Sequence, residues 1–276
     1  MLAPRRDDAT LVRARDTTNR VARTFAIACR MLPREVRSDV YRLYLVFRGL
    51  DDLVDFGDPR APARVGAVEA WCGGRASASA CASASEETRI LEALDRRYEL
   101  PRDALLDFCR GMRDDLGGRP FATEEELETY CYRVAGTVGI VMSALLGVRP
   151  GADHRPAAAA LGKAMQRTNI LRDIDEDLAS GRVYLARETV ERYGAPAPGH
   201  RAELLRDQIA RADALYDEGI AGIALLASGR RAIRAAAAMY REILRQIERE
   251  GYGARPGRVV VPRPRKLLVA ARSAAA

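Results

Sequence analysis

The chain has 276 residues, 48% of them hydrophobic, which supplies a core and excludes global disorder. Its net charge is +7, and the excess is arginine, because Lys163 and Lys266 are the only lysines. These arginines are scattered among acids, with no dense basic stripe and no interleaved aromatics, which argues against a nucleic-acid partner and leaves diphosphate substrates or an anionic membrane surface.

In chain order, residues 1–16 are expected to form a flexible N-terminus. Helices are predicted over Thr17–Leu32, stopped by Pro33, and over Ser38–Phe56, stopped by Gly57 and Pro59. A short helix fits Val65–Trp71, and Gly73–Ser85 (GGRASASACASAS) reads as a low-complexity surface loop. Further helical patterns cover Glu86–Tyr98, Arg102–Leu116, Glu124–Leu146, Pro156–Leu178, Arg201–Ser228 and Arg230–Glu250. The longest apolar run, Val134–Val148, contains Gly, Thr and Ser and falls short of the ~20 residues of a membrane span, so it reads as a buried core helix. A strand signal is confined to Val259–Val261, closed by Pro262, and residues 263–276 form a basic amphipathic tail. Breaks are short and no Gly-rich phosphate loop is present, so a single all-α domain over 1–276 is expected.

Two histidines, His154 and His200, lie in Pro/Gly/Ala-rich stretches, which leaves no material for a histidine-centred triad or a His/Cys zinc centre. The five cysteines (Cys29, Cys72, Cys81, Cys109, Cys131) form no CxxC pair, and no signal-peptide pattern opens the chain. Reduced thiols in a cytoplasmic protein are the expectation. Acid–base and metal chemistry therefore falls to carboxylates.

Two carboxylate clusters fit that role. In Asp51-Asp52-Leu53-Val54-Asp55, the four-residue spacing puts Asp51 and Asp55 on one helix face, which continues upstream through Arg48, Tyr44 and Tyr41. Asp173-Ile174-Asp175-Glu176-Asp177 repeats the spacing, with Gln166 and Asn169 on the same face and Arg172 adjacent. With 38 acidic residues in 276, about five acid pairs four apart arise by chance, so one pair is weak evidence. Two all-Asp pairs, each flanked by arginine on an otherwise apolar helix, say more. Carboxylates beside apolar surface are costly unless cations neutralise them, and oxygen donors of this kind suit Mg²⁺. The pattern points to a diphosphate held between two helical walls.

The stretches Arg48–Asp55 (RGLDDLVD), Tyr130–Gly139 (YCYRVAGTVG) and Asn169–Leu185 (NILRDIDEDLASGRVYL) resemble the squalene/phytoene synthase family of head-to-head prenyl synthases, and the likeness runs from about Thr24 to Leu268. The resemblance implies an isoprenoid (terpenoid) synthase bundle with a central cavity. It assigns Asp51, Asp55, Asp173 and Asp177 to Mg²⁺–diphosphate binding, with Asn169 as a further metal ligand and Mn²⁺ as a possible substitute ion. Arg48, Arg172 and Arg258 would contact phosphate. Tyr44 and Tyr240 would sit beside reacting cations, and Gln166 and Tyr130 would line the cavity. Val134, Ala135 and Gly139 would face prenyl tails, as would Phe25 and Cys29, whose small thiol would leave depth for C20 chains. YCYRVAGTVG leans to the phytoene synthase branch: two geranylgeranyl diphosphates joined to the carotenoid precursor phytoene. The alternatives are presqualene diphosphate, squalene or dehydrosqualene from farnesyl diphosphate, with NADPH needed only for squalene, or a cyclising terpene synthase. A non-enzymatic helical scaffold or membrane-surface module is the other class. Ala22 replaces a small hydroxyl residue usual in the family, and Ala186 replaces a proline; neither touches the aspartates.

Blander readings stand beside several of these roles. Val134–Leu146 serves equally as core, its glycines admitting a tail or another helix. Tyr240, without the likeness, reads as a core tyrosine, Asp114 and Asp115 as a solvated helix end ahead of a catalytic role, and Cys29 and Cys131 as small buried hydrophobes ahead of nucleophiles. The tail's basic, amphipathic stretch Arg263–Arg272 suggests peripheral contact with the inner face of a membrane. Oligomeric state is not legible.

Overall fold

The computed structural model describes residues 6–74, 85–118 and 120–275, and among them the regular elements are all helical. Most of the expected low-complexity loop, with Cys81, lies outside the described residues. From Arg6 onward the segment expected to be flexible is helical: α1 (Arg6–Val21) packs against α3 (Arg34–Asp55), with Ala14 and Thr18 fully buried. The one helix expected over Thr17–Leu32 is broken at Ala22, where ψ is 56°, and resumes as α2 (Arg23–Cys29). The break lets α2 turn onto α12 (Arg230–Arg249), a tertiary contact that periodicity does not carry.

α3 is the first wall of the site. Leu43, Val46, Phe47, Leu50 and Val54 recur at helical spacing and are buried against α4 (Ala61–Cys72), α5 (Glu86–Tyr98), α6 (Arg102–Gly117) and α8 (Thr137–Leu146). Phe47 meets Phe108 edge to face with centroids 4.7 Å apart. The N-terminal end of α3 is pinned by Asp39, 3% exposed, which accepts from Arg42, Arg97 and Tyr98.

α9 (Arg155–Ala179) is the second wall, packed along α11 (Ala202–Gly222). Small residues let the backbones close in: a Cβ at Gly222 would stand 2.1 Å from the Ala157 Cβ. Arg167, 4% exposed, donates to Glu124, Glu128 and Gln208, and Thr168 shares a 3.0 Å hydrogen bond with Tyr216. These buried polar contacts fix the rotation of α9, and with it the direction of Asn169 and Asp173 one turn on.

The segment expected as one helix over Glu124–Leu146 is three pieces: α7 (Glu124–Cys131), a π-helical turn (Tyr132–Gly136) and α8. It is long and apolar enough to span a bilayer, yet over half of its most apolar stretch is buried inside the bundle, as the reading of a core helix requires. α10 (Arg187–Tyr193), absent from the sequence expectation, is a short helix with only Thr189 fully buried. A 3₁₀ turn over Ile223–Leu225 follows α11, and the lone bridge Val148–Leu226 is the sole β pairing among the described residues. Val259–Val261 forms no strand, and the expected tail is a helix, α13 (Arg263–Ala275), lying on α12.

Candidate active site

α3 presents Tyr44, Arg48, Asp51 and Asp55 at steps of four, three and four, and α9 presents Gln166, Asn169, Asp173 and Asp177 at steps of three, four and four. The two polar faces meet through Arg182, beyond the end of α9, which donates to the Asp55 carboxylate at 2.8 Å and to its backbone carbonyl at 2.9 Å. Arg48 bridges Asp51 at 2.9 Å and Asp52. Arg172 grips Asp173 through two nitrogens, at 2.7 and 2.5 Å, and Arg258 adds a 3.2 Å contact to Asp173 and a 3.0 Å contact to Glu176. The middle aspartate of the second cluster is used to hold the fold, since Asp175 accepts from both Arg201, ahead of α11, and the Gly257 amide.

The electrostatics follow from this crowding. Burial, then the Asp55 charge, raises Asp51 to about 6. Burial, then Asp173, raises Asp177 to about 6. Asp115, at the end of α6, is pushed up to about 7 by burial, with Asp51 and Asp55 adding to it, although it accepts a 3.3 Å hydrogen bond from Tyr130. The Tyr130 ring, 5% exposed, is sandwiched between Phe121 and Tyr184. Tyr44 is raised by burial and lies within electrostatic reach of Tyr240 from α12, with Phe25 tilted against it at 5.3 Å.

Two buried polar atoms here lack hydrogen-bond partners: Asn169 Oδ1 and Arg48 Nε. An unpaired acceptor on the aspartate-lined face of α9 and an unpaired donor on the facing wall each cost stability unless a ligand completes them. The acceptor fits a hard cation and the donor fits a phosphate oxygen. The donors are all oxygen, the chemistry Mg²⁺ prefers, and Mg²⁺ is ordinarily held by one or two carboxylates plus substrate phosphates. No group of three or more metal-binding side chains is gathered into a cage among the described residues.

Several expected positions differ. Cys29 is fully buried among Leu32, Val40 and Tyr41, with its thiol pushed up to about 12 by burial, so it packs in the core instead of lining open space. Tyr41 belongs to the same core and not to the Arg48–Asp55 face, because α3 turns it toward α1, where Arg15 lies over its ring. Gly139 serves a helix contact rather than a prenyl tail: a Cβ there would come within 2.2 Å of the Ala158 carbonyl oxygen. Val134 and Ala135 are half-buried on the π turn, Val134 between the two main cores and Ala135 with its carbonyl against Gly162. Sequence reasoning preferred a solvated helix end to a catalytic role for Asp115, and it missed Arg182 and Tyr184. The last two lie inside the GRVYL stretch, whose regularity was the available signal.

An all-helical bundle with facing aspartate pairs flanked by arginines is the isoprenoid synthase fold, and solved structures agree: a dehydrosqualene synthase crystallised with a ligand superposes with a TM-score of 0.86 at 26% identity, covering 98% of this chain and 96% of its own. The squalene synthase HpnC from Alicyclobacillus acidocaldarius gives 0.75 at 26%, covering 91% and 97%. The squalene/phytoene synthase family model matches residues 18–265, and the chain belongs to that family of prenyltransferases. A phytoene synthase from Thermus thermophilus is 38% identical over 238 residues, 83% of this chain and 80% of its own. A 15-cis-phytoene synthase from Synechocystis sp. is 34% identical over 277 residues, 92% of this chain and 81% of its own.

Proposed function

We propose that this enzyme joins two geranylgeranyl diphosphates head to head, through a cyclopropylcarbinyl diphosphate, to give phytoene, releasing two diphosphates and two protons. The observation that carries the chemistry is the pair of facing aspartate walls with an orphaned acceptor, Asn169 Oδ1, on one and an orphaned donor, Arg48 Nε, on the other. The relatives named phytoene synthase favour the C20 substrate.

Asp51 and Asp55 on α3 and Asn169, Asp173 and Asp177 on α9 would hold Mg²⁺, which supplies positive charge to the departing diphosphate. Arg48, Arg172 and Arg258 would donate to phosphate oxygens, so the C1–O bond of the donor breaks with its electron pair left on an oxygen that is already hydrogen-bonded. The 2,3 double bond of the second substrate closes on that C1, a proton leaves, and a cyclopropane results. The second diphosphate then departs, and rearrangement with loss of another proton gives the linear product. Tyr44, with Phe25 tilted against it, and Tyr240 would stabilise passing cations with their rings while excluding water. Asp115, raised toward neutrality and hydrogen-bonded to Tyr130, is a proton acceptor of suitable strength at the rim of the first wall.

The test offers C15 and C20 diphosphates separately and together, with Mg²⁺ and with or without NADPH, and identifies products by chromatography. Phytoene from the C20 substrate without reductant is the expected result. Dehydrosqualene or squalene from the C15 substrate, with no C40 product, would replace this reading by that of the structural neighbours.

A further inference from the structure

The turn of α9 that carries Asp173 and Asp177 is gripped from behind. Two residues on from Asp173, Asp175 projects about 200° around the helix, away from the carboxylates that face α3. Its two oxygens take Nη1 and Nη2 of Arg201 at 2.6 and 2.7 Å, and one of them also accepts from the Gly257 amide at 2.7 Å. Arg201 is 2% exposed, so the pair is a forked, charge-assisted contact shielded from water.

The segment held this way, between α12 and α13, is irregular. Tyr252 takes a φ of 54°, a conformation that costs a residue with a side chain and persists only where neighbours impose it. The neighbours are present: the Gly253 carbonyl accepts from the Gly199 amide at 3.0 Å, and Arg206 lies over the Tyr252 ring at 4.5 Å. Gly253 rests against the Arg201 guanidinium so closely that a Cβ there would stand 2.2 Å from Nε. Arg258 follows the Gly257 amide directly and reaches Asp173 at 3.2 Å and Glu176 at 3.0 Å. Its side chain is 45% exposed, so packing does not fix it. Its place at the second aspartate wall follows from the backbone on which it stands, and Asp175 and Arg201 hold that backbone.

We propose, resting on the diphosphate reading of the second wall, that Asp175 and Arg201 are positioning residues: they clamp residues 251–257 so that Arg258 is presented to the substrate diphosphate. One turn of α9 then does both tasks, its front carrying carboxylates and its back fixing the cation that joins them. With the clamp cut, residues 251–258 sample other conformations, and binding must order them again before Arg258 can donate. The cost falls on diphosphate affinity, and it exists only while Arg258 is there to be positioned.

The experiment is a calorimetric titration of the full chain with inorganic diphosphate in saturating Mg²⁺, run as a double-mutant cycle. Arg258→Gln weakens binding about tenfold. Asp175→Asn keeps the shape but puts a donor where Arg201 or the Gly257 amide needs an acceptor. Gly253→Ala disturbs the clamp from the other side, by pushing on Arg201, and changes no charge near the metal. Each weakens diphosphate binding about fivefold in the otherwise wild-type chain and less than about twofold when Arg258→Gln is already present. A merely structural or electrostatic role would lose the same factor in both backgrounds. The proposal is overturned if both variants, with wild-type circular dichroism, bind as the wild type does, or if their losses persist undiminished beside Arg258→Gln. Should Asp175→Asn fail to fold, Gly253→Ala alone completes the cycle and decides by the same outcomes. A wild type that binds no diphosphate in Mg²⁺ would sink the diphosphate reading and the clamp with it, whereas a binding wild type with unsuppressed variants sinks only the clamp.

Discussion

Asp51 and Asp173 hold matching positions on facing helices, each already gripped by an arginine. Asn at either position keeps the shape and loses the charge, so Asp51→Asn and Asp173→Asn should each lower kcat at least about 100-fold with unchanged helical circular dichroism. Near-normal turnover at limiting Mg²⁺ in either variant would end the two-wall account. Arg172 offers two nitrogens in a fork, which lysine cannot reproduce, so Arg172→Lys should cost roughly tenfold or more in kcat/KM; unchanged steady-state constants would remove it from the phosphate site. The raised carboxyls make a third prediction. Asp51, Asp115 and Asp177 stand at about 6, 7 and 6, against ~4 in an unfolded chain. The fold therefore binds more protons than the unfolded chain across that interval, so stability is full at its acid end and declines as pH rises toward 7. The Asp51 side chain keeps 38% exposure, and water screens part of its share. Asp115→Asn should flatten the fall of Tm between pH 5 and pH 8 and raise Tm by a few degrees at the alkaline end. A scanning calorimetry series with the wild-type slope would show that Asp115 does not carry this load.

The helices bearing the site were legible because their signals are local. The four-residue aspartate spacing, the Pro33 and Gly57 punctuation and the apolar stripe of α3 all act within a few turns. What was hidden depends on contacts far apart in sequence. Arg182 meets Asp55 across 127 positions, and Asp115 joins the site only because α6 ends beside Tyr130, so no spacing rule could recruit either. The break at Ala22 and the π turn at Tyr132–Gly136 are likewise imposed from outside, by α12 in one case and by α9 in the other. The glycines of YCYRVAGTVG were ambiguous for the same reason: a missing side chain is the same letter whether a ligand or a helix approaches. Here a helix does. A methyl group on Gly139 would meet the Ala158 carbonyl, a backbone atom that cannot rotate away, so Gly139→Ala should force α8 and α9 apart. Overpacking of this kind costs about 1–3 kcal/mol, equivalent to a drop in Tm of roughly 2–12 °C, readable by thermal melt. A variant with wild-type Tm would mean the α8–α9 contact yields without cost.

At the scale of the whole molecule, the two cores meet along a boundary lined by charge. The cluster around α3, α6 and α8 and the cluster around α9, α11 and α12 each bury apolar residues, while Asp51, Asp55, Asp115, Asp173 and Asp177 gather where their polar faces oppose. Burial first, and carboxylate neighbours second, keep three of these carboxyls raised, so the site arginines neutralise the carboxylates only in part and a cation would complete the task. A divalent cation with diphosphate should thus bridge the halves and stabilise the native state by mass action. The magnitude should depend on pH with a definite sign: near pH 5 protons already quiet the raised carboxyls and must be displaced, whereas near pH 8 the carboxylates are free to bind. Thermal melts with Mg²⁺ and inorganic diphosphate should therefore show a larger rise in Tm at pH 8 than at pH 5, with little rise from either component alone. The Asp51→Asn and Asp173→Asn variants should each lose most of it, because each removes one side of the bridge. An equal shift at both pH values, or an undiminished shift in the variants, would mean that cation and diphosphate bind elsewhere and that the opposed carboxylates are held for another purpose.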